Sequence, residues 1–250
     1  MTEEDILALL ALQHTPNIGD ITAKKLIAHC GSPAAIYKEK KHKIAHIERI
    51  GSTILQHLFD PIHRVAAEKE WQYIQDNHLS YHTFFDADYP ANLKQIIDAP
   101  IIFFSRGNID LKNKKTLSIV GTRQITTYGK AFCEKFVEEL SPLEDLVIIS
   151  GFAYGVDIAA HKAAMDNGLQ TIACLAHGLD IIYPASHKKY TKEVEAYGGF
   201  ITEFWHQSSF DRKNFIGRNR IIAGLSDATV VIESALKGGS LVTADMAFSY

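Results

Sequence analysis

The sequence predicts an α/β protein in which a small all-helical domain precedes a doubly wound, mostly parallel sheet. Residues 1–60 have the apolar spacing of short helices, and from residue 81 short apolar runs alternate with helical patterns. Glycine-bearing loops follow those apolar runs, as they do at the carboxyl ends of the strands in such sheets.

Residues 1–60 are assigned to the helical domain. Glu3 to Gln13 has helical apolar spacing, and two later segments, NIGDITAKKLI and RIGSTILQHL, each place a glycine ahead of a helical run. This pattern resembles the helix-hairpin-helix repeat of SAM-like modules, in which backbone N–H groups at a helix start face a phosphate. A plain helical bundle with glycine in its turns would give the same pattern, so both interpretations stay open.

Residues 61–250 are assigned to an extended Rossmann-like domain. Pro61 is typical of the first residue of a helix, and the segments after residue 81 alternate between strand and helix. Strands that are apolar along nearly their whole length indicate a parallel sheet covered on both faces. The predicted strands are YHTFF, PIIFFS, TLSIVG, DLVIISG, QTIACLA, FITEF and ATVVIE.

The composition limits the class of protein without choosing its partner. A net charge of -3 and a pI near 6.4 neither support nor exclude nucleic acid, which would need a local basic patch. Three widely spaced cysteines suit a reducing cytosol, so we expect a cytoplasmic protein. The acidic start lacks the features of a signal peptide, and no apolar run approaches the roughly 18 residues of a membrane span.

Two cations stand at the entrance to an apolar segment. Arg218 and Arg220 lie in FIGRNRIIAGL, directly before the last predicted strand. Because arginine is rarely buried without a partner, either an internal carboxylate, Glu203 or Glu233, or an external anion must neutralise them. Four glycine-bearing loops at the same predicted edge of the sheet favour a ligand that carries phosphate.

The common cofactor and catalytic motifs do not match. The segment from Gly121 to Lys130 lacks the spacing of a Walker A loop, and no G-x-G-x-x-G follows a strand, so we expect no cofactor. The twelve histidines have no metal-ligand spacing. Asp157 and His161 lie one helical turn apart and could form an acid/base pair or simply hold the start of a helix.

Taken together, several segments resemble the DprA family, also called Smf, of bacterial DNA-processing proteins of natural transformation. The resemblance covers roughly residues 86–247, and the helical N-terminus fits the SAM-like domain of that family. The matching segments are DADYPANLKQIIDAPIIFFSRGN, SIVGTRQITTYG, ISGFAYGVDIAAHKAAMDNGLQTIACLAHGLDIIYP, GGFITEF and FIGRNRIIAGLSDATVVIESALKGGSLVTADMA.

The resemblance implies a DNA-binding protein without catalytic residues. Members of the family bind single-stranded DNA over a basic pocket at the strand ends, form homodimers through the Rossmann-like domain and help to load the RecA recombinase. Phe215 could stack on a base or belong to the core. The residues that the resemblance assigns to DNA binding are Gly121, Arg123, Gly151, Lys188, Lys189, Phe215, Arg218, Asn219, Arg220, Gly238, Gly239 and Ser240.

The chain departs from the family pattern in three places. Ile216 replaces a usual proline and Gly238 a usual serine, but neither change removes a cation. The family continues beyond the position of Tyr250, so we expect the Rossmann-like domain to be truncated at its C-terminus.

An enzyme is the competing prediction. The glycine-rich architecture also resembles phosphoribohydrolases that act on nucleoside monophosphates and carry a P-G-G-x-G-T-x-x-E signature. Here the corresponding segment is LKGGSLVTADM, which lacks the proline and the final glutamate. That difference favours DNA binding over hydrolysis.

Overall fold

The computed structural model describes residues 1–47 and 50–250 and divides into two compact units. The smaller unit comprises Met1–Phe85 and Ile97–Ile102, and the larger comprises Asp86–Ile96 and Phe103–Tyr250. These two units are defined by packing alone, so the predicted domain boundary at residue 60 stays a prediction. Among the described residues, no helix has the length and apolar character that a bilayer crossing requires.

The smaller unit is mainly helical, as its sequence predicts. Thr2 and Asp5 form a reciprocal capping box at the start of the first helix, whose leucines Leu9, Leu10 and Leu12 are fully buried. The sixth helix packs along the first. The elements are α1 Glu3–His14, α2 Asp20–Cys30, α3 Pro33–Lys38, α4 Lys41–Ile44, α5 Ser52–Leu58, α6 Pro61–Asp76 and β1 Ser80–Thr83.

The two predicted hairpin glycines do precede helices. Gly19 caps α2 and Gly51 caps α5, both with extended backbone and with open space where a Cβ would lie. Neither turn therefore requires glycine by its geometry. The first residue of the second segment, Arg49, lies outside the described residues, as does the preceding Glu48.

The larger unit alternates strands and helices in the predicted order. The helical segment that follows Pro184 begins as a 3-10 turn, Ala185–Tyr190. The remaining elements are α7 Ala91–Gln95, β2 Ile102–Gly107, β3 Lys115–Gly121, α8 Thr127–Leu140, β4 Leu146–Ser150, α9 Val156–Asp166, β5 Gln170–Cys174, α10 Thr191–Tyr197, β6 Gly198–Thr202, α11 Arg212–Gly224, β7 Ala228–Ile232 and α12 Gly239–Ser249.

The sheet of this unit is doubly wound. Its strands lie in the order β2-β6-β5-β4-β3-β7, and every neighbouring pair is parallel except β2 and β6. The chain runs outward from β3 through β4 and β5 to β6, and then returns to place β7 on the other side of β3. The order therefore reverses between β3 and β7, which is the position where open α/β sheets bind their ligands.

Apolar packing fixes this edge of the sheet. Ile119 of β3 and Ile148 of β4 are fully buried in a cluster with Cys133 of α8 and Ala160 of α9. Helices α11 and α12 pack on each other, and α12 packs against β3 and β7. Since α9 and α12 each start just beyond the end of a strand, their N-termini lie at the edge where the order reverses.

Candidate functional site

A cleft of about 580 Å³ opens at the point where the strand order reverses. The loop after β3, with Gly121 and Arg123, forms one wall, and the loop after β7 with the start of α12 forms another. Helix α11 contributes Arg218 and Asn219. The cleft therefore lies at the edge that the sequence predicted, outside the carboxyl ends of the parallel strands.

Four cations line this cleft. They are Arg123, Arg212, Arg218 and Lys237, and among the described lining residues they face a single carboxylate, that of Asp157. The start of α12 adds further positive character, because Gly238 caps it without a side-chain bond to the first N–H groups. An anion in this cleft would meet both fixed charges and open N–H donors.

Arg218 forms the floor of the cleft. It is only 5% exposed, and its guanidinium donates to the backbone carbonyl of Cys174 and, through Nε at 3.2 Å, to Oδ1 of Asn219. Burial lowers the pKa of Arg218, and the neighbouring Asp157 carboxylate opposes that shift. Burial likewise raises the pKa of Asp157, against the effect of Arg218. The floor thus places the Arg218 guanidinium and the Asp157 carboxyl group beside each other at the edge of an open cavity.

The space beside the Cα atom of Gly151 is occupied by this pair. A Cβ at Gly151 would lie 2.3 Å from Oδ2 of Asp157 and 2.7 Å from Nη2 of Arg218. The sequence predicted that glycine here lets the backbone approach a ligand. The structure shows internal side chains in that space, and Gly151 is not among the residues that line the cleft, so its contact with DNA stays a prediction.

Arg220 has a different position from Arg218. Its guanidinium pairs with the carboxylate of Glu203, and both side chains are nearly buried, at 12% and 13% exposed. The carboxylate of Glu233 accepts a bond from the backbone N–H of Thr126 at 2.8 Å. The internal carboxylate that the sequence left open therefore exists for Arg220, and it is Glu203.

An aromatic group borders the cations. The Arg123 guanidinium lies 5.3 Å from the ring centre of Phe215, which packs edge-on against Phe210 at 5.4 Å. Phe210 is 48% exposed and contacts the ring of Tyr183 at 4.6 Å. Exposed aromatic faces beside cations are the usual surface for unpaired nucleobases.

The predicted DNA-binding residues separate into two groups. The exposed Lys188 and Lys189 lie on the 3-10 turn, and together with Arg220 and Gly151 they are not among the residues that line the cleft. The predicted residues that the structure does bring together in the cleft are Gly121, Arg123, Phe215, Arg218, Asn219, Gly238, Gly239 and Ser240.

Among the cations and aromatic residues that line the cleft, sequence reasoning missed four. Arg212 and Phe210 precede the quoted FIGRNR segment, Lys237 lies inside the quoted SALKGGS loop, and Tyr183 ends the segment HGLDIIY. The signal for Lys237 and Arg212 was present, because each is a cation beside a segment already assigned to the edge. No local pattern distinguishes Phe210 from a core phenylalanine.

The pair of Asp157 and His161 does not form an acid/base site. His161 is fully buried, with one ring nitrogen bonded to the hydroxyl of Thr171 at 2.7 Å and the other to the carbonyl of Gly151. Burial lowers the pKa of His161 to about 4. Both ring nitrogens are therefore hydrogen-bonded within the protein, which fits the alternative in which this pair has a structural role. Among the described residues, no group of three or more His, Cys, Asp or Glu side chains could hold a metal ion.

Comparison with known proteins identifies the family of this chain. The family model described as DNA recombination-mediator protein A matches residues 80–250, which is more than half of the chain. The chain belongs to the DprA family.

Relatives within the DprA family cover different shares of the chain. The DNA processing protein DprA of Streptococcus pneumoniae is 36% identical over 190 residues, which are 73% of this chain and 66% of that protein. The chain thus spans slightly less than two thirds of that curated relative. The X-ray structure of the Streptococcus pneumoniae protein superposes over 100% of this chain and 84% of that one, with 29% identity and a TM-score of 0.82.

A second solved structure concerns the single-stranded DNA binding mode of DNA processing protein A from Helicobacter pylori. It is 30% identical and covers 69% of this chain and 78% of that one, with a TM-score of 0.61. These two structures confirm the doubly wound fold predicted from the sequence of this DprA-family chain.

Proposed function

We propose that this chain binds single-stranded DNA in the cleft at the β3–β7 edge and acts in DNA processing during natural transformation. The observation that carries the proposal is the arrangement of four cations beside an exposed aromatic group. The cations would hold backbone phosphates, and Phe210 or Phe215 would stack on bases. The single-stranded DNA binding of the Helicobacter pylori relative supports the choice of ligand.

The cellular role extends this binding proposal. Protection of incoming strands, loading of RecA, a homodimer through the Rossmann-like domain and a cytoplasmic location follow from the family resemblance. Binding without catalysis accords with the cleft, since Glu203 and Glu233, the carboxylates of the enzyme alternative, both have partners outside its lining residues.

Fluorescence anisotropy with labelled oligo-dT over a salt series tests the proposal. The variants are Arg123→Ala and Lys237→Ala, both on exposed residues of the cleft. Lys112→Ala is the matched control, because Lys112 is exposed near the start of β3, at the opposite end of that strand from the cleft. Circular dichroism confirms that each variant remains folded.

We expect each cleft variant to bind about tenfold more weakly at moderate salt, because a hydrogen bond between charged groups is lost. The slope of log K against log salt should also become shallower by about 0.7 for each phosphate contact removed. Lys112→Ala should match the wild type. Equal binding by the cleft variants would place the DNA elsewhere, and no binding by the wild type would reopen the enzyme alternative.

A further inference from the structure

A second, smaller depression of about 300 Å³ lies among α8, α9 and the 3-10 turn. Three lysines stand on its rim, one from each of these elements, and we call it the lysine groove. Its floor is apolar. The rim lysines are Lys130, Lys162 and Lys189, and the floor consists of Ile125, Gly155, Ile158 and Ala159.

Two of the lysines converge on one aromatic ring. The ammonium groups of Lys162 and Lys189 lie 5.8 and 5.0 Å from the ring centre of Tyr190. Within the part of the chain that the structure describes, neither ammonium forms an ion pair with a carboxylate. The third, Lys130, lies 3.6 Å from Glu134, but both side chains are about half exposed, so this pair holds it weakly.

This arrangement favours an anion. Two like charges held beside one ring repel each other, and a negative group between them would relieve that repulsion. The ring of Tyr190 stabilises the cations only modestly at an exposed site. The apolar floor next to the cations suits a ligand with both a flat apolar part and a negative group, which describes a nucleotide.

The groove and the cleft share one wall. Arg123 lines the cleft, and Ile125, two residues later on the same loop, lines the groove. Gly155 holds this loop close, because it has a φ of +80° and a Cβ there would lie 2.1 Å from the carbonyl oxygen of Thr122. Two residues of extended chain span at most about 7 Å, so the two sites are close enough for one strand.

An exposed aromatic ring lies on the segment between the two sites. Tyr154 is 49% exposed and immediately precedes Gly155, and its hydroxyl accepts a bond from Ser186 on the groove's rim at 3.2 Å. A base leaving the cleft would meet this ring before it reached the lysines. An acidic protein segment could also neutralise the lysines, but the proximity of the groove to the cleft would then have no role.

We propose that the lysine groove is a second subsite for single-stranded DNA, which holds a nucleotide of the same strand that occupies the cleft. A phosphate lies between Lys162 and Lys189, and Lys130 contacts an adjacent phosphate. The base rests on Ile125 and Ile158. This inference rests on the proposed function, because the strand must first occupy the cleft.

The length of the bound strand tests the proposal. Fluorescence anisotropy compares oligo-dT of about 6 nucleotides, enough for the cleft, with oligo-dT of about 20 nucleotides, which can also cross the wall. The groove variant is Lys162→Gln with Lys189→Gln. The control is Lys112→Gln with Lys114→Gln, which removes the same charge from the polar segment ahead of β3. Thymidine monophosphate is titrated as a competitor to detect a free-nucleotide site.

We expect the groove variant to lose about tenfold or more of the affinity for the long oligonucleotide and to keep the affinity for the short one. Its salt slope with the long strand should be shallower by about 0.7, for the one phosphate that lies between Lys162 and Lys189. The control should match the wild type with both lengths.

Three results would overturn the proposal. If the groove variant binds the long oligonucleotide more tightly than the short one by the same factor as the wild type, the lysines bind another anion, such as an acidic protein segment. If thymidine monophosphate competes only in proteins with an intact groove and length has no effect, the groove binds free nucleotide. If the wild type binds neither length, the proposed function fails as well, and this outcome is distinct from the first.

Discussion

The side chains of Asp157 and Arg218 both occupy the space beside the Cα atom of Gly151 that any larger residue at that position would fill. Asp157 also accepts a bond from the backbone N–H of Ala153 at 3.3 Å, which ties the loop after β4 to the start of α9. The same guanidinium that faces the cleft is therefore fixed from within the protein. A cation fixed in advance loses little side-chain entropy when it binds a phosphate.

Gly151→Ala tests this relationship directly. The added methyl group must displace the carboxylate or the guanidinium, and overpacking of this kind costs about 1–3 kcal/mol. Urea unfolding should show a lower midpoint, and oligo-dT binding should weaken because Arg218 moves. The control is Gly238→Ala, where the nearest atom to a new Cβ is 3.7 Å away and the backbone is extended, so its unfolding midpoint should not change. An unchanged midpoint in Gly151→Ala would contradict the packing argument.

Breaking the ion pair between Arg220 and Glu203 should lower the free energy of unfolding. Arg220→Ala removes the guanidinium that neutralises a nearly buried carboxylate, which should cost roughly 3 kcal/mol of unfolding free energy. The double variant Arg220→Met with Glu203→Gln should recover most of that loss, since no charge is left unpaired. Urea unfolding measures both effects.

DNA binding by the same double variant separates the two roles of Arg220. If Arg220 acts only through Glu203, the refolded double variant should bind oligo-dT as the wild type does. A loss as large as that of Arg123→Ala would instead support the phosphate contact that the family resemblance implies.

Acid should destabilise the protein through its buried histidines. Burial lowers the pKa of His161 from its usual 6.5 to about 4. The unfolded chain therefore binds more protons than the folded one between these values, and stability falls as the pH drops from 6.5 towards 4. Burial lowers the pKa of His63, His177 and His187 as well, so they act in the same direction.

Unfolding free energies measured at about pH 7.5 and about pH 5 check the sign. His161→Gln should shrink the difference between the two values, because it removes one of the groups that must bind a proton on unfolding. His42→Gln changes an exposed side chain of α4 and is the control. A larger difference in His161→Gln than in the wild type would contradict the assignment.

Phe210 should contribute to the affinity for DNA and contribute little to folding stability. Its ring is 48% exposed beside Phe215 and Tyr183, and stacking on one base contributes about 1–3 kcal/mol. Phe210→Ala should weaken oligo-dT binding about fivefold or more, without a change in salt slope, since no charge is removed. Phe248→Ala, at a 96% exposed ring on α12, should bind normally. Normal binding by Phe210→Ala would remove this ring from the stacking surface.

The sequence predicted the sheet because its signals are local. Apolar runs such as LVIIS and TIAC are long enough to be strands buried on both faces, and the glycine loops after them mark their carboxyl ends. Eight of the residues assigned by resemblance meet in one cleft, because they follow strands that end at the same edge. Their role in DNA binding stays a prediction.

The sequence could not separate Arg218 from Arg220. They are two residues apart on α11, and a helix turns by about 200° over two residues, so they point in nearly opposite directions. One reaches the cleft and the other reaches Glu203. The sequence named both carboxylate candidates but contained nothing that chose between them.

By itself, the sequence determined the order of the elements, the edge of the sheet where the cleft lies and the family, since each depends on residues close together in the chain. Only the tertiary structure decided which side chains share a space: Asp157 with Arg218 over Gly151, Arg220 with Glu203, and three lysines from separate elements around one groove. These pairings join residues distant in sequence, and their free energy depends on burial and on distances of a few ångströms, which exist only once the strands and helices have packed.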